Sequence, residues 1–164
     1  QINNRTAYFR KGIDLIFKIA PQFPTYQFTI VGNLDKMKYS NIPENITLLA
    51  FVQYEQLRDL YSMHEFYLQL SISEGFPSAP CEAMLCECIP IVSNVAALPL
   101  IVGDSGFILK SKNEDLLIDL IQKAVLCDKA LMGKKARQQI IENFPMNERE
   151  KLVHFLNAII NNEI

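Results

Sequence analysis

Short, almost wholly apolar stretches alternate along this chain with stretches whose apolar residues recur at helical spacing, and this alternation strongly constrains the fold. Strands are predicted at 26–31, 46–52, 65–70, 89–93 and 107–109, and helices at 12–20, 54–64, 79–87, 113–127, 128–143 and 147–161. Apolar strands that are separated by helices form parallel sheets covered on both faces. We therefore predict an α/β fold with a doubly wound parallel sheet and helices on both of its faces.

The composition is typical of one folded domain. The 164 residues are 49% hydrophobic and 21% charged, which is enough apolar material for a core. The net charge of -2 argues against sequence-independent nucleic-acid binding, which needs a basic surface, but it does not exclude a local phosphate site. No apolar run approaches the roughly 18 residues that span a bilayer. Because the first residue is Gln1 and not Met, we expect a fragment of a longer protein.

The cysteines favour reduced thiols over a metal site. Cys81, Cys86 and Cys88 lie in or near one predicted helix, and Cys127 is remote from them in sequence. The usual C-x2-C spacing of zinc ligands is absent, so buried, reduced thiols in the cytoplasm are the favoured interpretation. A disulfide or redox role is the alternative. Neither histidine has a partner motif, and both are interpreted as structural.

Ligands of parallel α/β sheets bind beyond the carboxyl ends of the strands. The segments that follow predicted strands are 32–33, 53–54, 71–78 and 94–99. Glu74 lies in one of these segments, Gly75 allows a sharp turn or a close approach to a ligand, and Glu82 lies about one turn into the next helix. A helix start suits a phosphate, and carboxylates accept hydrogen bonds from sugar hydroxyls. The structural alternative is a solvated Glu74 and a Glu82 that only complements the helix dipole.

Several motifs resemble those of family 4 glycosyltransferases. The segments EGF at 74–76 and EAM at 82–84 together resemble the E-x7-E signature of that family. Further similar segments occur in the same order, at Arg5 with 10–12, and at 30–32, 54–61, 89–93 and 102–107. The resemblance implies the donor-binding, C-terminal domain of a two-domain enzyme with the GT-B fold. This Rossmann-like domain would occupy residues 1–164, including C-terminal helices at 128–161, and the N-terminal acceptor domain would be absent.

The same resemblance assigns roles to individual residues. Arg5 and Lys11 match the basic pair that holds the nucleotide diphosphate in relatives, whereas Arg10 is interpreted as a solvated charge. Preorganised cations would stabilise the negative charge that a departing diphosphate gains in the transition state. Glu82 is expected to hold the ribose hydroxyls, and Glu74 to contact the transferred sugar. Glu74, Arg5 and Lys11 are therefore the predicted catalytic residues.

The other predicted donor-binding residues lie in the loop and at two strand ends, where backbone groups would face the sugar, the phosphates and the base. They are Gly75, Phe76, Pro77, Ser78, Gly32 and Val52. No D-x-D motif occurs, so we expect metal-independent transfer without a cofactor, from a UDP-, GDP- or ADP-sugar. The sequence departs from the family pattern at Cys88, where Gly is usual, which puts the tight packing of helix and strand in doubt. It also departs at Leu100, where Glu is frequent, and at Pro77 and Ser78.

The function implied by the resemblance is a retaining glycosyltransferase. It would transfer a hexosyl group from a nucleoside-diphosphate sugar to a sugar or lipid-linked acceptor, in polysaccharide or glycolipid biosynthesis. The acceptor would bind through the missing N-terminal domain. The expected location is the cytoplasm, including peripheral association with the inner face of the membrane, and no nucleic-acid partner is expected. Two alternatives stay open, a non-catalytic nucleotide-sugar-binding module and a related nucleotide-sugar epimerase.

Overall fold

The computed structural model describes residues 5–32 and 41–144. The strands within these ranges are β1 (Phe28–Val31), β2 (Ile46–Leu49), β3 (Phe66–Gln69), β4 (Ile89–Ser93) and β5 (Phe107–Leu109). The helices are α1 (Arg5–Arg10), α2 (Ile13–Ile19), α3 (Tyr54–Ser62), α4 (Ser78–Leu85), α5 (Leu98–Val102), α6 (Glu114–Val125) and α7 (Lys129–Asn143). A 3-10 turn, Ala20–Gln22, follows α2. The helix predicted at 147–161 lies outside the described residues.

All strand pairs of the described part are parallel, as predicted. β1 pairs with β2, and β4 lies between β3 and β5. The described strands thus form a two-stranded and a three-stranded hydrogen-bonded group. The imidazole of His64, which lies between α3 and β3, links β1 to α3, because its Nδ1 lies 2.8 Å from Leu60 O and its Nε2 lies 2.9 Å from Thr29 Oγ1. A carbonyl can only accept, so Nδ1 donates, which agrees with the structural role predicted for this histidine.

Helices cover both faces of the sheet, as the apolar strands predict. Neighbouring residues of a strand point to opposite faces. On β4, Ile91 packs into a core cluster with residues of α2 and α6, such as Ile19 and Leu117. The next residue, Val92, packs on the other face against Leu98 and Val102 of α5. A third cluster joins α4, α5 and α7 on their buried sides. The doubly wound α/β prediction is therefore confirmed.

Two short helices, α1 and α5, are not predicted from the sequence. Each spans less than two turns, so the apolar periodicity that identifies longer helices is too short to recognise. In α5 the sequence is LPLIV, and Pro99 suggests a loop although a proline in a first helical turn loses no hydrogen bond. The first of these helices, α1, matters for the site, since Lys11 follows it directly.

The turn between α1 and α2 fits directly against the end of β3. Gly12 has a φ of 73°, in the left-handed region, and a Cβ placed there would lie 2.2 Å from Leu70 O. Ile72 N also donates to Arg10 O at 2.9 Å. Only glycine meets both the conformational and the steric requirement at this position. The contact holds the neighbouring residue, Lys11, at the carboxyl end of β3.

Gly12→Ala is expected to destabilise the chain by about 2 kcal/mol or more, because it combines a strained backbone with a clash against another backbone. Gly75→Ala is the matched control, since a Cβ there meets no atom within 4 Å. Urea denaturation monitored by circular dichroism measures both changes. Equal unfolding midpoints for the two variants would contradict this account of Gly12.

Cys88 occupies the place of a usual glycine without disturbing the packing. The residue is 1% exposed, and its thiol contacts Tyr61 O at 3.1 Å and His64 O at 3.3 Å. The residue that adopts a positive φ, 67°, is the preceding Glu87. Glu87 N donates to Met84 O and Cys88 N to Ala83 O, which is the Schellman ending of a helix. The doubt about helix–strand packing at Cys88 is therefore removed, and the strain lies one residue earlier.

Glu87→Gly is expected to stabilise the chain by about 0.5–1 kcal/mol, because glycine relieves the left-handed strain at the helix end. The control is Lys134→Gly in the interior of α7, where glycine should destabilise by about 0.5–1 kcal/mol. Thermal unfolding of both variants tests the difference in sign. A loss of stability in Glu87→Gly would overturn the assignment.

Candidate functional site

The centre of the candidate site is the carboxylate of Glu74, in the loop between β3 and α4. Its Oε1 accepts three hydrogen bonds, from Lys11 Nζ at 2.5 Å, from Ser71 Oγ at 2.6 Å and from Gln69 Nε2 at 2.8 Å. The side chain of Glu74 is 10% exposed and that of Lys11 is 24% exposed. This is a largely enclosed, charge-assisted pair, which is stronger than an ion pair on the surface.

The electrostatics of the pair favour an ionised Glu74. Burial raises the pKa of the Glu74 carboxyl, but the hydrogen bonds from Lys11, Ser71 and Gln69 and the charge of Lys11 outweigh it. The pKa of Glu74 therefore lies below its ordinary value of 4.5. A carboxylate that stays charged and desolvated at neutral pH is suited to accept hydrogen bonds from a ligand.

Glu82 lines the same cavity as Lys11 and Glu74, from the second turn of α4. The cavity has a volume of about 950 Å³, and Pro77 and Ser78 also line it. Glu82 is half-buried, and within residues 5–32 and 41–144 no hydrogen-bond donor meets its carboxylate. The pKa of Tyr61 is raised to about 12. Burial is the largest cause of this rise, and the nearby charge of Glu82 is the second. The two glutamates and the lysine, distant in sequence, thus face one cavity.

The start of α4 presents uncapped backbone N–H groups to this cavity. Pro77 occupies the N-cap position and makes no side-chain cap, whereas Asn113 and Asp128 cap α6 and α7 by accepting from backbone N–H groups. Ser78 is exposed at the first position of the helix. Uncapped N–H groups at a helix start are donors for an anion, and the helix dipole adds positive potential.

Gly75 and Phe76 lie in the loop just before this helix start. Gly75 lies in a bend of the backbone, as the sharp-turn prediction requires, but its φ is outside the left-handed region. A Cβ at this position would meet open space, so the chain itself does not require a glycine there. The predicted close approach of this backbone to a ligand remains a prediction. The ring of Phe76 is 58% exposed and packs 5.6 Å from the ring of Phe144.

Two other predicted binding residues lie at strand ends. Gly32 directly follows β1, and its N–H donates to Leu49 O at 3.0 Å. Val52 is half-buried, shortly after β2 and just before α3. Both therefore lie at carboxyl ends of parallel strands, where the prediction puts them. Their roles in contacting a donor remain predictions.

The predicted basic residues have different outcomes. Lys11 meets Glu74 directly. Arg5 begins α1, but its side chain lies outside what the structure describes, so its place in the site remains a prediction. Arg10 is not merely a solvated charge, because it is half-buried and its Nη1 lies 3.4 Å from Ser73 O in the loop of Glu74. Lys11 and Arg10 thus each contact the loop between β3 and α4, at Glu74 and at Ser73 O respectively.

Three residues of the site carry no family motif and were not predicted. Gln69 and Ser71 donate to Glu74, and Tyr67 donates to Gln69 Oε1 at 2.5 Å. Gln69 and Ser71 are both buried, although both are polar. The one available signal is Gln69 itself, a polar residue inside an otherwise apolar predicted strand, since buried polar side chains require partners.

The described residues add three findings, on the cysteines, on metal-binding groups and on membrane-spanning helices. The four cysteines are free thiols, and only Cys88 is fully buried, so the expectation of burial is wrong for the other three. Among the described residues, no group of three or more His, Cys, Asp or Glu side chains is arranged to hold a metal ion. No helix in the described ranges has the length and apolarity to span a bilayer.

The fold is that of a Rossmann-like α/β domain, and a cavity lined by charged side chains lies at the carboxyl ends of its parallel strands, where such domains bind ligands. The sequence pattern of the family described as "Glycosyl transferases group 1" matches residues 5–145. The chain therefore belongs to the group 1 glycosyltransferase family. The predicted resemblance to the C-terminal domain of a glycosyltransferase with the GT-B fold is therefore confirmed.

Similar proteins cover most of this chain but are much longer than it. A phosphatidylinositol N-acetylglucosaminyltransferase subunit of Schizosaccharomyces pombe is 28% identical over 130 residues, covering 72% of this chain and 28% of that protein. Trehalose synthase of Thermococcus litoralis is 28% identical over 168 residues, covering 89% and 40% respectively. The structure of sucrose-phosphate synthase from Thermosynechococcus elongatus aligns with a TM-score of 0.79 at 24% identity, over 92% of this chain and 43% of that chain. The chain therefore spans less than half the length of these relatives, and the structural likeness establishes the fold alone.

Glu74→Gln is expected to lower stability at pH 7 by roughly 1–2 kcal/mol, because it removes the charged acceptor of three donors. A carboxyl with a lowered folded-state pKa stabilises the fold above its unfolded pKa, and this contribution is lost as the pH falls through the folded-state pKa. The difference between wild type and variant should therefore disappear as the pH falls below the ordinary value of 4.5.

Chemical denaturation across a pH series measures this difference. Asp104→Asn is the control, since Asp104 and its partner Lys135 form an ion pair whose carboxylate is 85% exposed. That substitution should have little effect at any pH. A stability gap for Glu74→Gln that persists unchanged at pH values well below 4.5 would contradict the assigned role of ionised Glu74.

Proposed function

We propose that this chain is the donor-binding domain of a retaining glycosyltransferase, which transfers a hexosyl group from a nucleoside-diphosphate sugar to a sugar or lipid-linked acceptor. The observation that carries the proposal is the contact between Lys11 and Glu74, with Glu82 facing the same cavity. A cation, two carboxylates and an uncapped helix start together match the chemical groups of a sugar diphosphate.

Lys11 is proposed to stabilise the leaving diphosphate. An ammonium has three N–H donors, and Glu74 uses one of them, so two remain for phosphate oxygens. The start of α4 supplies further N–H donors. These groups are held in place before the ligand arrives, which is the condition for electrostatic stabilisation of a transition state without reorganisation. Arg5 is proposed as a second cation, and no metal ion is needed in this scheme.

The two carboxylates are proposed to hold the two sugars of the donor. Glu82 would accept hydrogen bonds from the ribose hydroxyls, since its carboxylate has no donor within the described residues. Glu74 would accept from a hydroxyl of the transferred sugar. The acceptor would then attack from the face on which the diphosphate leaves, with the leaving phosphate taking its proton, so that the anomeric configuration is retained.

Two relatives support the lipid-linked class of acceptor. One is named for transfer to phosphatidylinositol, and an α-galactosylglucosyldiacylglycerol synthase of Streptococcus pneumoniae is 30% identical over 89 residues, covering 48% of this chain and 24% of that protein. We propose a setting in glycolipid or polysaccharide assembly, in the cytoplasm or at the inner face of the membrane. The acceptor would bind to a second domain outside this chain.

The test measures turnover in the complete two-domain protein. A thermal-shift panel of UDP, GDP, ADP and their common sugars first identifies the base, because ligands that bind only the folded state raise its stability. Lys11→Ala and Glu74→Ala are then expected to lower kcat roughly 100- to 1,000-fold, as for other losses of a transition-state contact. Lys135→Ala, which breaks an exposed ion pair elsewhere, is the control and should keep wild-type turnover.

Product analysis separates the proposal from its alternatives. Retained configuration in the glycoside product supports it, and inverted configuration contradicts it. A non-catalytic module would bind the donor without turnover in the wild type. An epimerase would convert the donor sugar when no acceptor is present. If Lys11→Ala and Glu74→Ala both kept the wild-type kcat, the assignment of these residues to the active site would be contradicted.

A further inference from the structure

The hydrogen bonds to Glu74 are distributed unequally between its two oxygens. Lys11, Ser71 and Gln69 all donate to Oε1. In the part of the chain that the structure describes, no donor meets Oε2. Three donors on one oxygen fix the plane and direction of the carboxylate, so Oε2 is left as an acceptor with a defined orientation.

One of these donors is itself held in orientation by a further residue. The Gln69 amide donates through Nε2 to Glu74, and Tyr67 Oη donates to Gln69 Oε1 at 2.5 Å. If the amide were reversed, its oxygen would face the carboxylate and repel it. The ring of Tyr67 packs against the ring of Tyr61. Burial raises the pKa of the Tyr67 hydroxyl well above 10, and Tyr61, Glu82 and Glu74 add to this. The hydroxyl therefore stays protonated and keeps donating.

We propose that Gln69, oriented by Tyr67, is a positioning residue for Glu74, which directs Oε2 of that carboxylate towards a hydroxyl of the bound sugar. This inference rests on the proposed function, since it specifies how the same site holds its substrate. Neither Tyr67 nor Gln69 needs to touch the substrate. Their effect passes through Glu74 alone, and this separates them from the catalytic residues.

Loss of the Gln69 donor should shift the pH dependence of kcat/KM in one direction, and this shift can be measured. The titratable and charged groups around Glu74 are Lys11 on the α1–α2 turn, Tyr67 on β3 and Glu82 on α4. Arg10, at the end of α1, contacts the same loop at Ser73 O. Removing the Gln69 donor leaves these charges in place but takes away a hydrogen bond that lowers the pKa of Glu74. The acidic limb of the kcat/KM profile, below which Glu74 is protonated, should therefore move to higher pH.

The experiment compares Tyr67→Phe and Gln69→Leu in the complete protein, with Gln138→Leu as a matched control on the exposed side of α7, outside the cavity. Tyr67→Phe removes a single oxygen atom, and Gln69→Leu keeps the side-chain size while removing the donor. Each of the two is expected to lower kcat roughly tenfold, by analogy with other residues that orient a ligand-binding group. Each should also move the acidic limb to higher pH. Gln138→Leu should change neither quantity.

The outcomes separate this inference from the proposed function on which it rests. Glu74→Ala is measured in the same assay, and wild-type turnover in that variant would reject the proposed function itself. If Glu74→Ala loses turnover while Tyr67→Phe and Gln69→Leu keep wild-type kcat or an unmoved acidic limb, only the positioning role is rejected. If either Tyr67→Phe or Gln69→Leu fails to fold, the variant that folds tests the positioning role by itself. If neither folds, the network is structural and the inference is overturned.

Discussion

The site depends on one contact, between the turn joining α1 to α2 and the carboxyl end of β3. Gly12 lies so close to Leu70 that no side chain fits between them, and Ile72 N donates to Arg10 O. This backbone contact sets the position of Lys11 before its side chain makes any interaction. The ion pair with Glu74 then needs only a short reach, so less side-chain entropy opposes it. These backbone contacts thus position Lys11 at the site before any ligand binds.

A large part of the fold could be predicted from the sequence, because its elements are locally consistent. Apolar strands such as β4 require cover on both faces, and Asn113 identifies the start of α6 by its capping side chain. The short helices could not be predicted, because α1 and α5 owe their formation to packing and not to a repeating pattern. Strand bounds were harder to predict for a similar reason, since β2 ends at Leu49 although apolar residues continue beyond it.

The site was less predictable from the sequence than the fold, and some of its residues could be predicted whereas others could not. Glu74, Glu82 and Lys11 follow from a resemblance between motifs, since their spacing alone is compatible with ordinary surface charges. Gln69 and Tyr67 could not be assigned in this way, because their role depends on which atom each side chain faces. A polar residue in an apolar strand indicates that a partner exists, but only the three-dimensional arrangement identifies that partner as Glu74.

The charge balance of the cavity gives a physical reason why the proposed function needs more than one cation. Lys11 is already paired with Glu74, and Glu82 adds a further negative charge to the same cavity. These three side chains together are net acidic, so they alone would repel a diphosphate. The N–H groups of α4 offset part of this charge, and Arg10 is held beside the loop by its contact with Ser73 O. Further positive charge is what Arg5 is proposed to supply, and this role rests on the motif, with which the charge balance of the cavity is consistent.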